Sequence, residues 1–305
     1  MHFHLPVMVE EVVTGLVADP RGAYLDATAG GGGHSRAILQ TLEPEGRLVA
    51  VDRDREAVQE TRQALAEFGD RAVVLQGSFG ELRQVLEAAQ VPHLHGALFD
   101  LGVSSHQIDE GGRGFSYQQE GPLDMRMDRQ AGASAAAVIA GAAEEELARW
   151  IKEYGEERQA RRIARSICQV RERGMQTTAD LREAVERTRP SHLPKTLARV
   201  FQALRITVND ELGQLEQGLG AAEERLVRGG RMAVIAYHSL EDRLVKRRFA
   251  ERLRGCSCPP AIPVCVCGRQ PSFRAVYRKP RRASPDEVRA NRRARSAVLR
   301  VYERL

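Results

Sequence analysis

At 305 residues, 42% hydrophobic and 29% charged, the chain has a globular composition and is long enough for one large domain or a domain carrying an insertion. No apolar run approaches the ~18 residues that span a bilayer, and the first residues, MHFHLPVMVEEVV, lack the basic leader, apolar stretch and small-residue site of a secretion signal, so a cytoplasmic protein with no membrane association is expected. The net charge of +5 is modest but uneven: residues 269–304 hold twelve Lys or Arg against three acids, which suits a polyanionic partner or a plain solvated surface, and five cysteines do not make a disulfide framework.

Pro6 to Leu16 reads as a short amphipathic helix. From residue 22 to about 103, β-rich runs alternate with helical patterns: GAYLDAT, RLVAVDRD, RAVVLQG and HGALFDLG are strand candidates, and 33–42, 54–67 and 79–89 are helix candidates. Such alternation predicts a parallel sheet covered by helices. The pattern breaks at the Gly-rich stretch 111–121. Helical spacing then fills 143–154, 157–173, 178–188 and 193–205, with no convincing strand. A further helix at 208–228 leads to GGRMAVIAYHS, where the interrupted sheet resumes. FRAVYRK (273–279) and SAVLRVYER (296–304) are two last strands, expected to form an antiparallel pair.

The first strand ends at Asp26 and runs into Thr28, Ala29, four glycines (Gly30 to Gly33) and His34, followed by a helix. A glycine turn between a strand and a helix lets a nucleotide cofactor approach the backbone, whereas an isolated glycine run would be no more than a flexible turn. Asp52 closes the second strand, twenty-two residues after Gly30, where a carboxylate accepts hydrogen bonds from both ribose hydroxyls of an adenosine; capping the next helix is its other reading. This spacing alone does not separate NAD from S-adenosylmethionine. Phe79 lies where an adenine would need an apolar neighbour, or in ordinary core. Asp100, in DLGVSS, and Gln107 follow the fourth strand and should face the reactive end of the cofactor. Many amino-methyltransferases carry an Asp or Asn, two prolines and an aromatic at this place, so here other atoms must hold the target amine.

The blocks DATAGGGGHS, AVDRD, GSF, FDLGVSSHQID, RGFSY, PLDMRMD, AYHSLEDR and NRRARSAVLRVYER, in that order, resemble the bacterial 16S ribosomal RNA cytosine-N4 methyltransferases over essentially the whole chain. His106 stands where proline is usual in that family. The resemblance implies an α/β fold, a Rossmann-like methyltransferase sheet (1–108 and 209–305) with an inserted all-helical domain (109–208) that recognises RNA. It implies S-adenosylmethionine as cofactor, held by Gly32, Gly33, His34, Asp52, Phe79, Asp100 and Gln107. The partner implied is 16S rRNA of the small subunit, with no DNA. Asp100 is the candidate acceptor for the amine, and His238 a weaker candidate for proton removal or base contact, with a structural role as its alternative.

The insertion carries fourteen basic residues between Arg149 and Arg205 against seven acids, a surface suited to RNA backbone. Phe115, Tyr117 and Tyr237 are available to hold an unstacked base, or belong to the core. Cys256, Cys258, Cys265 and Cys267 form CxC, six residues, CxC. Four thiolates suffice for tetrahedral zinc, but this spacing is tighter than usual and the resemblance implies no metal, so reduced surface thiols are expected; Cys168 is expected in a helix core. Two rivals remain: an NAD-dependent oxidoreductase, which should lack the terminal antiparallel pair, and an RNA-binding assembly factor that does not use the cofactor.

Overall fold

The computed structural model describes residues 6–256, 258, 264 and 267–305. The chain divides into two compact units, the first Met1–Gly102 with Gln214–Leu305 and the second Val103–Gly213.

The first unit is built on a seven-stranded sheet. Its strands are β1 (Ala23–Asp26), β2 (Arg47–Asp52), β3 (Ala72–Gln76), β4 (Leu94–Asp100), β5 (Leu226–Ala236), β6 (Phe273–Ala275) and β7 (Val298–Arg304), in the order β3-β2-β1-β4-β5-β7-β6. The first five strands of that order run parallel, and β7 is antiparallel to both β5 and β6. A sheet buried on both sides needs apolar residues at odd and even positions alike. Tyr24, Leu48, Ala50, Leu98, Ala233 and Ile235 pack into one core, and the alternating Leu25, Val49, Val51, Ala97, Phe99, Met232 and Val234 into the other. Helices α1 (Val9–Leu16), α2 (Gly33–Thr41), α3 (Arg55–Ala64) and α4 (Leu82–Ala88) accompany the first strands. The expected final strand pair exists, but 273–279 is strand only as far as Ala275. Past Val276, whose N–H still reaches Val301 O, the chain turns so that the Tyr277 hydroxyl donates to Glu11 O, and Pro280 has no N–H for a ladder.

The second unit is helical: α5 (Ser105–Asp109), α6 (Ala135–Gly141), α7 (Glu144–Glu153), α8 (Ala160–Arg171), α9 (Thr178–Glu186) and α10 (Leu193–Asn209). Its own core gathers Leu147, Ile151, Ile163, Ile167, Leu181, Val200 and Leu204 from these helices. Three further helices complete the chain: α11 (Glu211–Arg225), α12 (Ser239–Arg254) and α13 (Pro285–Ala290). Phe115 is buried in the core of the second unit, and Tyr117 packs edge-on against Phe201 at 5.9 Å, so both serve packing. Among the described residues no helix is long and apolar enough to cross a membrane.

Candidate active site

β2, β1 and β4 are neighbours in the sheet, and each ends in an aspartate: Asp52, Asp26 and Asp100. The crevice beyond the carboxyl ends of parallel strands is where ligands bind in such sheets. The glycine loop from β1 to α2 lies at this edge. Gly30 and Gly32 take φ of +54° and +78°, a region where a side chain is strained. Gly33 packs on Pro6 so closely that a Cβ would stand 2.8 Å from its Cγ. The loop is pinned where the Ala29 N–H donates to Val51 O and the Thr61 hydroxyl to Gly30 O, both at 2.9 Å.

Asp52 sits against this loop. Its Oδ2 accepts the Gly30 N–H at 2.9 Å and its Oδ1 the Asp54 N–H at 2.9 Å. Capping of α3 falls to Asp54, which accepts the Glu56 N–H at 3.1 Å. Burial pushes the Asp52 carboxyl up to about 6 in spite of those two N–H donors, with Asp54 and Asp26 adding to the rise. Asp26 is fully buried, accepting the Ser35 hydroxyl at 2.6 Å and the Thr28 N–H at 3.1 Å.

Asp100 is held from two sides. Its Oδ1 accepts the Tyr237 hydroxyl at 2.9 Å, and its Oδ2 lies 3.5 Å from His34 Nδ1. His34 is buried, and its Nε2 is 2.9 Å from Val7 O. A neutral imidazole carries one N–H, and both nitrogens of His34 face an oxygen here. Burial again pushes Asp100 up to about 6, opposed by His34 and by the Tyr237 hydrogen bond. The Tyr237 phenol is itself driven upward by burial and by Asp100, which keeps it a donor.

His238 is the N-cap of α12, and its Nδ1 accepts the Glu241 N–H at 3.4 Å. Its Nε2 lies 3.0 Å from Glu241 Oε1 but off the line of a good hydrogen bond. Glu241 Oε2 also accepts the Tyr237 and His238 N–H groups, at 2.8 and 3.2 Å. The structural reading of His238 is therefore the one the geometry favours. Phe79 sits in a 3-10 turn, edge-on to Phe99 at 5.5 Å. Gln107 belongs to the second unit, where its Oε1 accepts the Ser104 N–H at 3.1 Å. Of the expected site residues, the structure thus joins Asp52 to the glycine loop and His34 to Asp100.

Sequence reasoning left out Asp26, Ser35 and Glu241. HSLE, with a glutamate three residues after the cap position, was the available signal for Glu241. Asp26 offered only its place at a strand end.

Three acids at adjacent strand ends favour positive charge there, and Asp26 adds to the rise that burial causes in both Asp52 and Asp100. Such a site suits a cationic adenosine derivative and disfavours a pyrophosphate. The model of the MraW methylase family matches residues 1–305. This chain belongs to that family. Its relatives include proteins named ribosomal RNA small subunit methyltransferase H: one from Symbiobacterium thermophilum, 48% identical over 99% of this chain and 96% of its own length, and one from Syntrophotalea carbinolica, 49% identical over 99% and 98%. The counterpart from Heliobacterium modesticaldum is 46% identical over 99% and 98%. Membership of a methylase family makes the chain a methyltransferase with S-adenosylmethionine as its methyl donor. The residues fit that cofactor: a glycine turn where a side chain would be strained, with the carboxylates of Asp52 and Asp100 at the strand ends beside it.

Proposed function

We propose that the chain methylates N4 of a cytidine in 16S rRNA of the small ribosomal subunit, in the cytoplasm, using S-adenosylmethionine. The observation that carries this reading is the trio Asp52, Asp26 and Asp100 at adjacent strand ends beside the glycine loop, a site for a cation on a family member matched from end to end. Relatives of nearly equal length are named for small-subunit rRNA methylation.

When bound, S-adenosylmethionine supplies an activated methyl group. Asp52 accepts the ribose hydroxyls, and Gly32, Gly33 and His34 form the wall on which the cofactor rests, with Phe79 as a further contact. The cytosine amine is conjugated with its ring and is a weak nucleophile until acceptors hold its protons. Asp100 is the acceptor we assign. Tyr237 and His34 fix its carboxylate, and with a carboxyl near 6 it is mostly ionised at neutral pH yet basic enough to take the proton that N4 loses as the carbon–nitrogen bond forms. Glu241 holds the backbone that leads from Tyr237 into His238, accepting both N–H groups.

The insertion expected at 109–208, which falls within the helical unit Val103–Gly213, supplies RNA recognition in this reading. Arg158, Arg161 and Arg162 are exposed beside and on α8, as backbone-contacting groups should be. The test is transfer of labelled methyl to purified small subunits lacking base methylation, with digestion to nucleosides and mass analysis. Labelled N4-methylcytidine that is lost in Asp100→Ala is the expected result. Tight cofactor binding with no transfer to any RNA would overturn the RNA substrate.

A further inference from the structure

The chain between α12 and β6 contains Cys256, Cys258, Cys265 and Cys267. Cys265 lies outside the described residues. The Sγ atoms of the other three all lie within 4.8 Å of one another. Cys256 and Cys267, eleven positions apart, bring their sulfurs to 3.8 Å, far beyond the ~2.05 Å of a disulfide. A metal with Zn–S bonds of about 2.3 Å in tetrahedral geometry requires sulfur–sulfur edges of about 3.8 Å. The Cys258 N–H points at Cys256 Sγ from 3.4 Å.

The base of this loop is closed independently of the sulfurs. Gly255 has φ +70°, and a Cβ there would stand 2.4 Å from Pro271 N. The Ser272 N–H donates to Arg252 O at 3.0 Å, and Phe249 packs edge-on against Phe273 at 5.2 Å. The two ends of the loop are thereby brought together, with Cys256 and Cys258 leaving one end and Cys267 entering the other. That closure explains how the tight CxC spacing, which argued against a metal in the sequence, serves one here: each side need supply only a short sulfur-bearing hook, and the fold supplies the convergence.

We propose that Cys256, Cys258 and Cys267 ligate a zinc ion. Converging all-thiolate donors suit zinc among the divalent metals. Each ligating thiol gives its proton to solvent on binding. The ion acts as a clip: it ties the end of α12, whose other end carries His238 and Glu241 under Tyr237, to the strand that follows. This assignment does not depend on the methyl-transfer reading, because its readout is metal content.

The test uses the full chain, purified in reducing buffer without chelator. Mass-spectrometric metal analysis should give about one zinc per chain, falling below roughly a tenth of that in the Cys256→Ser, Cys267→Ser double variant. Cobalt added to chelator-stripped parent protein should produce sulfur-to-cobalt charge-transfer absorption and the intense visible bands of a tetrahedral site. Stripping should raise tryptic cleavage at Arg254 and Arg269 by roughly tenfold, and zinc should restore resistance. Parent protein that purifies without zinc and gives no thiolate–cobalt absorption overturns the proposal, whether or not the double variant folds. So does zinc retained at the parent level by a folded double variant.

Discussion

The Tyr237 hydroxyl donates to Asp100 Oδ1 at 2.9 Å, joining the ends of two adjacent parallel strands, β5 and β4, across a sequence separation of 137 residues. The other oxygen of the same carboxylate faces His34 Nδ1 at 3.5 Å. Tyr237→Phe keeps the ring and removes the donor. We expect single-turnover methyl transfer to fall by about 10- to 100-fold, its pH profile to move upward as Asp100 loses a stabilising bond, and stability to change by only about 1 kcal/mol. An unchanged rate and profile would remove Tyr237 from the machinery.

Cofactor affinity should depend on pH. Asp52 and Asp100, both pushed up to about 6, are ionised at pH 8 and largely protonated at pH 5. A cationic cofactor needs them ionised, so calorimetric Kd should rise as pH drops through 6, about tenfold per pH unit for each group required. A Kd flat from pH 5 to 8 would contradict this.

Stability of the cofactor-free protein should run the other way. Each carboxyl holds its proton more tightly folded than at the ordinary 3.8, so between roughly 4 and 6 the folded state binds more protons and gains stability as pH falls. It follows that Asp100→Asn, which removes a buried charge yet retains an acceptor for Tyr237, should match or exceed the parent's Tm at pH 8, by on the order of 1 kcal/mol. Its methyl transfer should be lost by at least ~100-fold. Thermal melts and the transfer assay on one preparation check both halves.

The segment PLDMRMD, 122–128, has no regular structure and includes Met125 at φ +59°. Asn209 at the end of α10 holds it: Asn209 Nδ2 donates to Met125 O at 2.7 Å, and Asn209 Oδ1 accepts the Met127 N–H at 2.9 Å. Asn209→Ala strands both buried groups and should cost about 2–3 kcal/mol in denaturant unfolding. A loss under 0.5 kcal/mol would mean that the segment is held elsewhere, for instance by Arg113, whose guanidinium also donates to Met127 O.

These residues show what the sequence made legible. Short apolar β-rich runs marked β1, β2, β4 and β5, which are buried on both faces, and the glycine loop with Asp52 was legible from its spacing. Helices α7 to α10 followed from their apolar spacing to within a few residues. What remained hidden were contacts between distant residues. Tyr237 was one aromatic among several until its hydroxyl met Asp100. His238 looked like a candidate base because a histidine's type gives no hint that its ring is spent on a helix cap. The convergence of Cys256 and Cys267 depends on Gly255 and Pro271 meeting, which no spacing rule encodes.

The sheet order also dictates a sequence of assembly. Among the described residues β6 pairs with β7 alone, and β7 pairs with β5 across 72 positions at Arg231 and Glu303. The edge of the sheet therefore cannot grow outward in chain order. β6 is made before β7 but has no ladder to join until β7 has docked on β5, so its three residues should be among the last amides to gain protection during refolding, however early they emerge.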